Sequence, residues 1–222
     1  MLFSLTSQVM IESRPFRWAK VQRFLSADQA HELRRSFPHD LPVSQRQGGS
    51  DKTYFVASTK LLRADGKRQA PSAFWNSLIE SACERDYRSF LSSIAEKDIS
   101  DSFVEIEINS YRSCGFMSAH TDRPPKVLTH IIYLNSIWPE HWGGELEILS
   151  SPESPPFQKV TPVWPNSVVL LRSDASWHSV RSVSPQATDP RLTIQITFWA
   201  DVPPASKPGR SILEARHGGD PA

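Results

Sequence analysis

The sequence predicts an α+β domain in which helices brace a largely antiparallel sheet, and three observations point to it. Two apolar stripes at helical spacing lie before about residue 100. After that point the pattern changes to short alternating runs punctuated by turn residues. Nothing between those runs supplies the crossover helix that a βαβ unit needs, so the strands suggest a sandwich or barrel.

The first helix is predicted over about residues 26–37, in LSADQAHELRRSF. Ser26 is a fitting N-cap with Gln29 three positions on, a capping box, and Ala30, Leu33 and Phe37 then recur at helical spacing. The second is predicted over about residues 71–95, opening at Pro71 and carrying Phe74, Trp75, Leu78, Ile79, Ala82, Cys83, Tyr87, Phe90, Leu91 and Ile94 as one core-facing stripe. Strands follow in FVEIEINSY, VLTHIIYLN, GGELEIL, QKVTPV, SVVLLR and RLTIQITFWA. In the first of these Val104, Ile106 and Ile108 alternate with Glu105, Glu107 and Asn109. SPESPPFQ, residues 151–158, reads as a proline-rich loop, and Gly143-Gly144 and Pro165-Asn166 as turns. The organisation expected is one domain over residues 1–202, with its strand-rich core at about 103–200 and a loosely ordered tail at 203–222.

Composition narrows the function classes. The chain has 222 residues, 39% apolar and 22% charged, with a formal net charge of +1. A balance so close to neutral gives no bulk case for nucleic acid or a membrane surface as partner. The 2 cysteines, Cys83 and Cys114, are isolated, which speaks against a disulfide framework or a structural zinc site and for reduced, cytoplasmic thiols. The opening MLFSLTSQVMIESR lacks a basic n-region, and no apolar run approaches the ~18 residues that span a bilayer.

The chemistry concentrates in SAHTDRPP. His120 and Asp122 stand at i and i+2, the spacing that puts two side chains on one side of an extended chain. A non-haem Fe(II) site needs two imidazoles and one carboxylate on a single face of the metal. LLRSDASWHSV brings His178, just after a predicted strand, and Arg191 then opens the last one. Arginine suits a carboxylate anchor, because its planar fork binds bidentately and never loses its charge. Arg181, closer to His178, is the competing anchor. His130 falls within a strand and is expected in the core, whereas His31, His39, His141 and His217 show no partner.

With YRSCGFMSAHTD, KVLTHIIYLN, HWGGELEI, the Pro-Asn-Ser turn before VVLL, WHSV and RLTIQITFW in this order, residues 104–199 resemble the Fe(II)/2-oxoglutarate-dependent dioxygenases, nearest in style to the prolyl-4-hydroxylase-like group. The resemblance implies a double-stranded β-helix core of jelly-roll, cupin-like type. It implies that His120, Asp122 and His178 bind Fe(II), and that Arg191 pairs with the distal carboxylate of 2-oxoglutarate, assisted by Tyr133 and Thr193. Tyr111 matches a tyrosine near the metal-bound end of the cosubstrate. The cofactors implied are Fe(II), 2-oxoglutarate and O2, with ascorbate as an accessory reductant. The implied reaction is hydroxylation of an unactivated C–H bond with release of succinate and CO2. Halogenating relatives carry a small residue where Asp122 stands, so its carboxylate points to oxygenation.

A small-molecule substrate is the expectation for so compact a chain, with a peptidyl or carrier-protein-tethered substrate as the alternative and the oligomeric state left open. Lys60, Arg63, Arg112, Arg123, Lys126 and Arg172 lie near predicted strand ends, and their convergence at a barrel mouth would indicate an anionic substrate. Trp138, Trp142, Trp164 and Trp177 are candidate pocket residues. Two other classes compete: a non-catalytic cupin-like binding module, and a hydrolase using the His/Asp/His set on zinc, which would leave Arg191 and Tyr133 without a role.

Overall fold

The structure is a computed structural model, and it describes residues 2–46 and 52–201. The tail predicted over 203–222 lies outside the described residues, as does the last residue of the expected domain. In chain order the strands are β1 Gln8–Glu12, β2 Trp18–Gln22, β3 Val43–Arg46, β4 Tyr54–Leu62, β5 Phe103–Tyr111, β6 Phe116–His120, β7 Lys126–Tyr133, β8 Leu146–Leu149, β9 Pro156–Val160, β10 Asn166–Leu171, β11 His178–Val180 and β12 Arg191–Trp199. The helices are α1 Ala27–Arg35, α2 Ala73–Cys83 and α3 Arg85–Ala95. All pairings are antiparallel, in the order β1-β2-β10-β7-β12-β5-β4-β6-β11-β8-β9, with β3 beside β4. Strand β4 pairs with β5 through Ala57–Leu62 and with β6 through Tyr54 and Phe55, so the sheet curls at β4. A curled, mostly antiparallel sheet with three helices fits the jelly-roll expectation.

Two features depart from the predicted order. Strands β1 to β4 precede residue 63, interleaved with α1, so helices and strands are not segregated along the chain. The stripe predicted over 71–95 is two helices broken at Glu84, whose extended backbone (ψ 149) ends α2 and starts α3. The spacing explains the break. Trp75, Leu78, Ile79 and Ala82 share one helical face, but Tyr87, Leu91 and Ile94 fall out of phase with it. Interrupting the helix re-phases them, and all seven side chains are buried in one core. Ser72, rather than Pro71, caps α2 by accepting from Trp75 N–H. The capping box of α1 forms as predicted, Gln29 N–H donating to Ser26 Oγ (3.2 Å) and Ser26 N–H to Gln29 Oε1 (2.8 Å). Within SPESPPFQ, Pro156 and Phe157 already belong to β9.

Period-two alternation then divides the sheet into two unlike faces. Ile106 and Ile108 of β5, Leu128 and Ile132 of β7, and Leu192, Ile194, Ile196 and Phe198 of β12 form one apolar cluster with the helices. Their alternate neighbours, among them Glu105, Glu107, Asn109, Arg191, Gln195 and Thr197, turn into the curl. Among the described residues no helix is long and apolar enough to cross a membrane.

On the helix face the buried His130 has both ring nitrogens engaged. Tyr87 OH lies 2.8 Å from His130 Nδ1 and His130 Nε2 lies 2.9 Å from Ser167 Oγ, which donates to Val21 O. That last bond fixes the order: His130 Nε2–H donates to Ser167, and Nδ1 accepts from Tyr87. The chain of bonds ties α3 to β7, β10 and β2, and His130 is a core residue as expected. Burial pushes the His130 pKa down to about 3. Because the unfolded chain holds this proton below about pH 6.5, the contribution of His130 to folding stability is complete above that pH. It falls as pH drops, by about 1.4 kcal/mol per unit. Between pH 7 and pH 5 the wild type should therefore lose about 2 kcal/mol more stability than His130→Gln in urea unfolding. Equal losses would contradict a neutral, buried His130.

Candidate metal and carboxylate site

His120 closes β6, Asp122 follows two residues later, and His178 opens β11. The register pairs His178 directly with His120, which places their rings 4.3 Å apart between centroids. One ligand atom from each of the three residues lies within 4.8 Å of the other two, and all three residues are buried. His120 Nδ1 lies 2.9 Å from Ser118 O, and His178 Nδ1 lies 2.9 Å from Ser176 O. A carbonyl can only accept, so both rings donate from Nδ1 and keep the Nε2 lone pair for a metal. Lys52 Nζ sits 3.3 Å from His120 Nε2, on the side where that lone pair points.

The charge states suit metal binding. Burial disfavours the imidazolium of both histidines and lowers their pKa values, well below the usual range for His120. Burial would raise the Asp122 pKa, but the charge of Lys126 above all, with Lys52, reverses this and holds the carboxylate ionised. Lys126 Nζ binds Asp122 Oδ1 at 2.7 Å, and Arg172 Nε donates to Asp122 O at 3.0 Å. Two neutral imidazoles and one fixed carboxylate form the donor set that suits Fe(II).

A second cluster lies on the inner faces of β5, β7 and β12. Arg191 is 1% exposed, directly opposite Tyr111 in the register, with its guanidinium 4.8 Å from the Tyr111 ring centroid and 5.4 Å from that of Tyr133. Thr193 faces both Asn109 and Tyr133. Six buried atoms here lack a hydrogen-bond partner among the described residues: Arg191 Nε and Nη1, Tyr111 OH, Tyr133 OH, Thr193 Oγ1 and Asn109 Nδ2. Buried polar atoms are ordinarily paired. Two orphans on the guanidinium and four around it, all able to donate, form a cradle for a carboxylate. Burial pushes both phenols up to about 12, against the pull of Arg191, so they remain protonated donors.

The backbone before Arg191 is held firmly. Asn135 Oδ1 accepts from Leu192 N–H (2.8 Å), and Asn135 Nδ2 donates to Pro190 O (2.9 Å) and Asp189 Oδ2 (3.2 Å). Gly143 and Gly144 both have positive φ, and a Cβ at Gly144 would meet Arg191 Cδ at 3.3 Å. Arg181 is half exposed beside Glu145, outside the cavity, which removes it as the competing anchor.

Both clusters open onto one cavity of about 1000 Å³. Of the basic residues singled out in the sequence, Lys60, Arg63 and Lys126 line it, whereas Arg112, Arg123 and Arg172 do not. None of Trp138, Trp142, Trp164 and Trp177 lines it. Trp138 instead packs edge-on against Trp142, and Trp164 Nε1 donates to Leu25 O. The tryptophan that does is Trp199. Asn109 and Trp199 were readable from alternation, at i−2 from Tyr111 and i+8 from Arg191, and Lys52 carried no signal.

Residues 106–200 match the family model of the 2OG-Fe(II) oxygenase superfamily. Over these residues the chain is similar to the members of that superfamily. Their core is that of a 2-oxoglutarate-dependent dioxygenase, whose cofactors are Fe(II), 2-oxoglutarate and O2, and both clusters suit that set. No curated protein matches the chain in sequence. Among solved structures, a Pseudomonas putida prolyl-4-hydroxylase is 18% identical, with a TM-score of 0.55 over 82% of this chain and 91% of that one. A Trichoplax adhaerens prolyl hydroxylase, in complex with a hypoxia inducible factor oxygen degradation domain peptide fragment, is 14% identical (TM-score 0.54, covering 82% and 83%). SnoN, a non-heme α-ketoglutarate-dependent epimerase from nogalamycin biosynthesis, is 13% identical (TM-score 0.54, covering 88% and 86%). At these identities the likeness shows the fold of the oxygenase core.

Arg191 yields a prediction of mixed sign. Its buried, incompletely paired charge destabilises the ligand-free fold, while its fork is free to receive a carboxylate. Arg191→Met should weaken 2-oxoglutarate binding by about 10- to 100-fold in calorimetry. The same variant should melt at or above the wild-type temperature without ligand. A ligand-free melting temperature well below wild type would mean that Arg191 is a structural residue.

Proposed function

We propose that the chain is a hydroxylase in which His120, Asp122 and His178 hold Fe(II), Arg191, Tyr133 and Thr193 hold the distal carboxylate of 2-oxoglutarate, and Tyr111 with Asn109 completes the cradle. The observation that carries the proposal is the meeting of two buried clusters in one cavity: a three-ligand set with both Nε2 lone pairs free of the backbone, and a buried arginine that, with four polar atoms around it, lacks hydrogen-bond partners among the described residues. Bound iron with 2-oxoglutarate supplies the oxygen activation that turns substrate C–H into C–OH while succinate and CO2 leave.

The residues of the chain set the conditions for that chemistry. The two histidines stay neutral and oriented through Ser118 O and Ser176 O. Lys126 holds one oxygen of Asp122, which leaves the other for the metal. Arg191, Tyr111 and Tyr133, each at most 1% exposed, keep the cosubstrate end dry and strengthen every electrostatic contact there. Lys60, Glu105, Glu107, Gln195 and Thr197 line the remaining space. The three helices brace the outer face of the sheet against which this cavity is built.

A small-molecule substrate suits a cavity of about 1000 Å³, which also has to hold the cosubstrate. The peptidyl alternative is supported by likeness to two prolyl hydroxylases, one of them in complex with a peptide fragment. Fe(II)-dependent release of succinate from 2-oxoglutarate, stimulated by members of a metabolite panel and not by proline-containing peptides, is the expected result. His178→Ala and Asp122→Ala should each abolish it. Stimulation by peptides alone would transfer the assignment to the peptidyl class. Succinate release that survives both substitutions would remove the metal assignment.

A further inference from the structure

The cavity is asymmetric along β12. At one end Arg191 is enclosed by Tyr111 and Tyr133. At the other, Arg63, Lys67 and Arg68 are exposed yet still line the cavity, so it opens there. A tight hairpin turn holds these three residues: Arg63 N–H donates to Lys67 O (2.8 Å) and Gly66 N–H to Arg63 O (2.9 Å), with Gly66 at φ +84. Leu62 bridges Arg68 on the next rung. The turn therefore presents Arg63, Lys67 and Arg68 together at the mouth.

Trp199 lies at the far end of β12 from Arg191. It is 5% exposed and lines the cavity, and its indole Nε1 is buried without an acceptor among the described residues. Lys126 Nζ stands 5.3 Å from the Trp199 ring centroid, a cation–π contact that fixes the indole. Beyond Arg191 the cavity lining carries six cations, Lys52, Lys60, Arg63, Lys67, Arg68 and Lys126. Apart from the metal-ligand candidate Asp122, its carboxylates are Glu105 and Glu107. Glu105 is committed to Lys60 at 2.7 Å. The outer half of the cavity thus holds an excess of positive charge and a buried N–H that lacks an acceptor. Neither belongs to the cosubstrate end.

We propose that this outer half is a subsite for an anionic group of the substrate, a carboxylate or phosphate, received by the Trp199 N–H with Arg63, Lys67 and Arg68 at the rim. The proposal rests on the oxygenase reading of the cavity, and it names the substrate class: a small anionic molecule. The Trp199 N–H supplies direction, and the rim cations supply long-range attraction and on-rate. Rim charges exposed to solvent act through a salt-screened field, so affinity should fall as ionic strength rises.

The test is calorimetric titration of the full chain, loaded anaerobically with Fe(II) and saturating 2-oxoglutarate, using phenyl phosphate and phenol as probes. Phenyl phosphate should bind at least about tenfold more tightly than phenol. The exposed double variant Arg63→Gln/Arg68→Gln should weaken phenyl phosphate by about fivefold, and Trp199→Phe, which keeps a ring beneath Lys126, by about tenfold. Both variants should bind 2-oxoglutarate as the wild type does. Equal affinity for the two probes, no saturable phenyl phosphate binding, or insensitivity to both variants would overturn the subsite. Repeating the titration on the metal-free chain without 2-oxoglutarate, with Arg191→Met alongside, separates the two readings. Binding lost in Arg191→Met but kept in the mouth variants would mean that the anion had entered the cradle, which overturns the subsite. Binding that persists in Arg191→Met and falls in the mouth variants would uphold it, even if iron failed to bind.

Discussion

The interaction on which the rest depends is one the protein leaves unmade. Arg191 is buried between two tyrosine rings with Nε and Nη1 unpartnered among the described residues. Burying an uncompensated guanidinium is unfavourable by several kcal/mol in a packed interior. Such a site survives only where the surrounding fold has stability to spare and where a ligand restores the missing partner. The register of β12 against β5 and β7 fixes it there, since Tyr111, Asn109 and Tyr133 occupy the rungs beside Arg191 and Thr193. Sliding β12 by one residue would send Arg191 into the helix core and Leu192 into the cavity.

The two faces of one sheet thus follow opposite rules. On the helix side the polar exception, His130, has both ring nitrogens engaged and lies among Phe24, Tyr87 and the apolar residues of the strands. That side locks the fold. On the cavity side polar groups are buried without partners, and charge is held ready for a ligand. The same alternating sequence writes both faces, so FVEIEINSY and RLTIQITFW are at once core strands and the wall of the site. Catalytic groups on strands that are packed from behind keep their geometry better than groups on loops.

The balance between local and long-range information decides what was legible in the sequence. The capping box at Ser26 and Gln29 is a local signal and formed as read. FVEIEINSY alternates clearly, and the six strands predicted from residue 103 onward formed in the predicted order. The HTD triplet could be located because its spacing is local, but its partner His178 became significant only through the order of the surrounding segments. Strands β6 and β11, which carry the histidines, have 5 and 3 residues and too little pattern to be read. The break at Glu84 needed the phase of the apolar positions rather than their abundance. The four tryptophans near the motifs were drawn to attention by proximity along the chain. Trp199, on the same strand face as Arg191, is the one that faces the cavity. Convergence of Lys60, Arg63 and Lys126, and exclusion of Arg112, Arg123 and Arg172, depended on how the sheet curls at β4. No local pattern encodes that.

The central question is whether the three-ligand cluster and the arginine cradle act on one bound cosubstrate. The measurement that asks this most directly is an anaerobic titration of the metal-free chain with Fe(II) and then 2-oxoglutarate, followed by visible absorption. A weak charge-transfer band that needs both additions and is lost in His120→Ala is the predicted result, because chelation of the keto acid requires a metal held by that histidine. Iron binding without a band would contradict the pairing of the two clusters. Failure to bind iron would return SAHTDRPP to an ordinary polar turn.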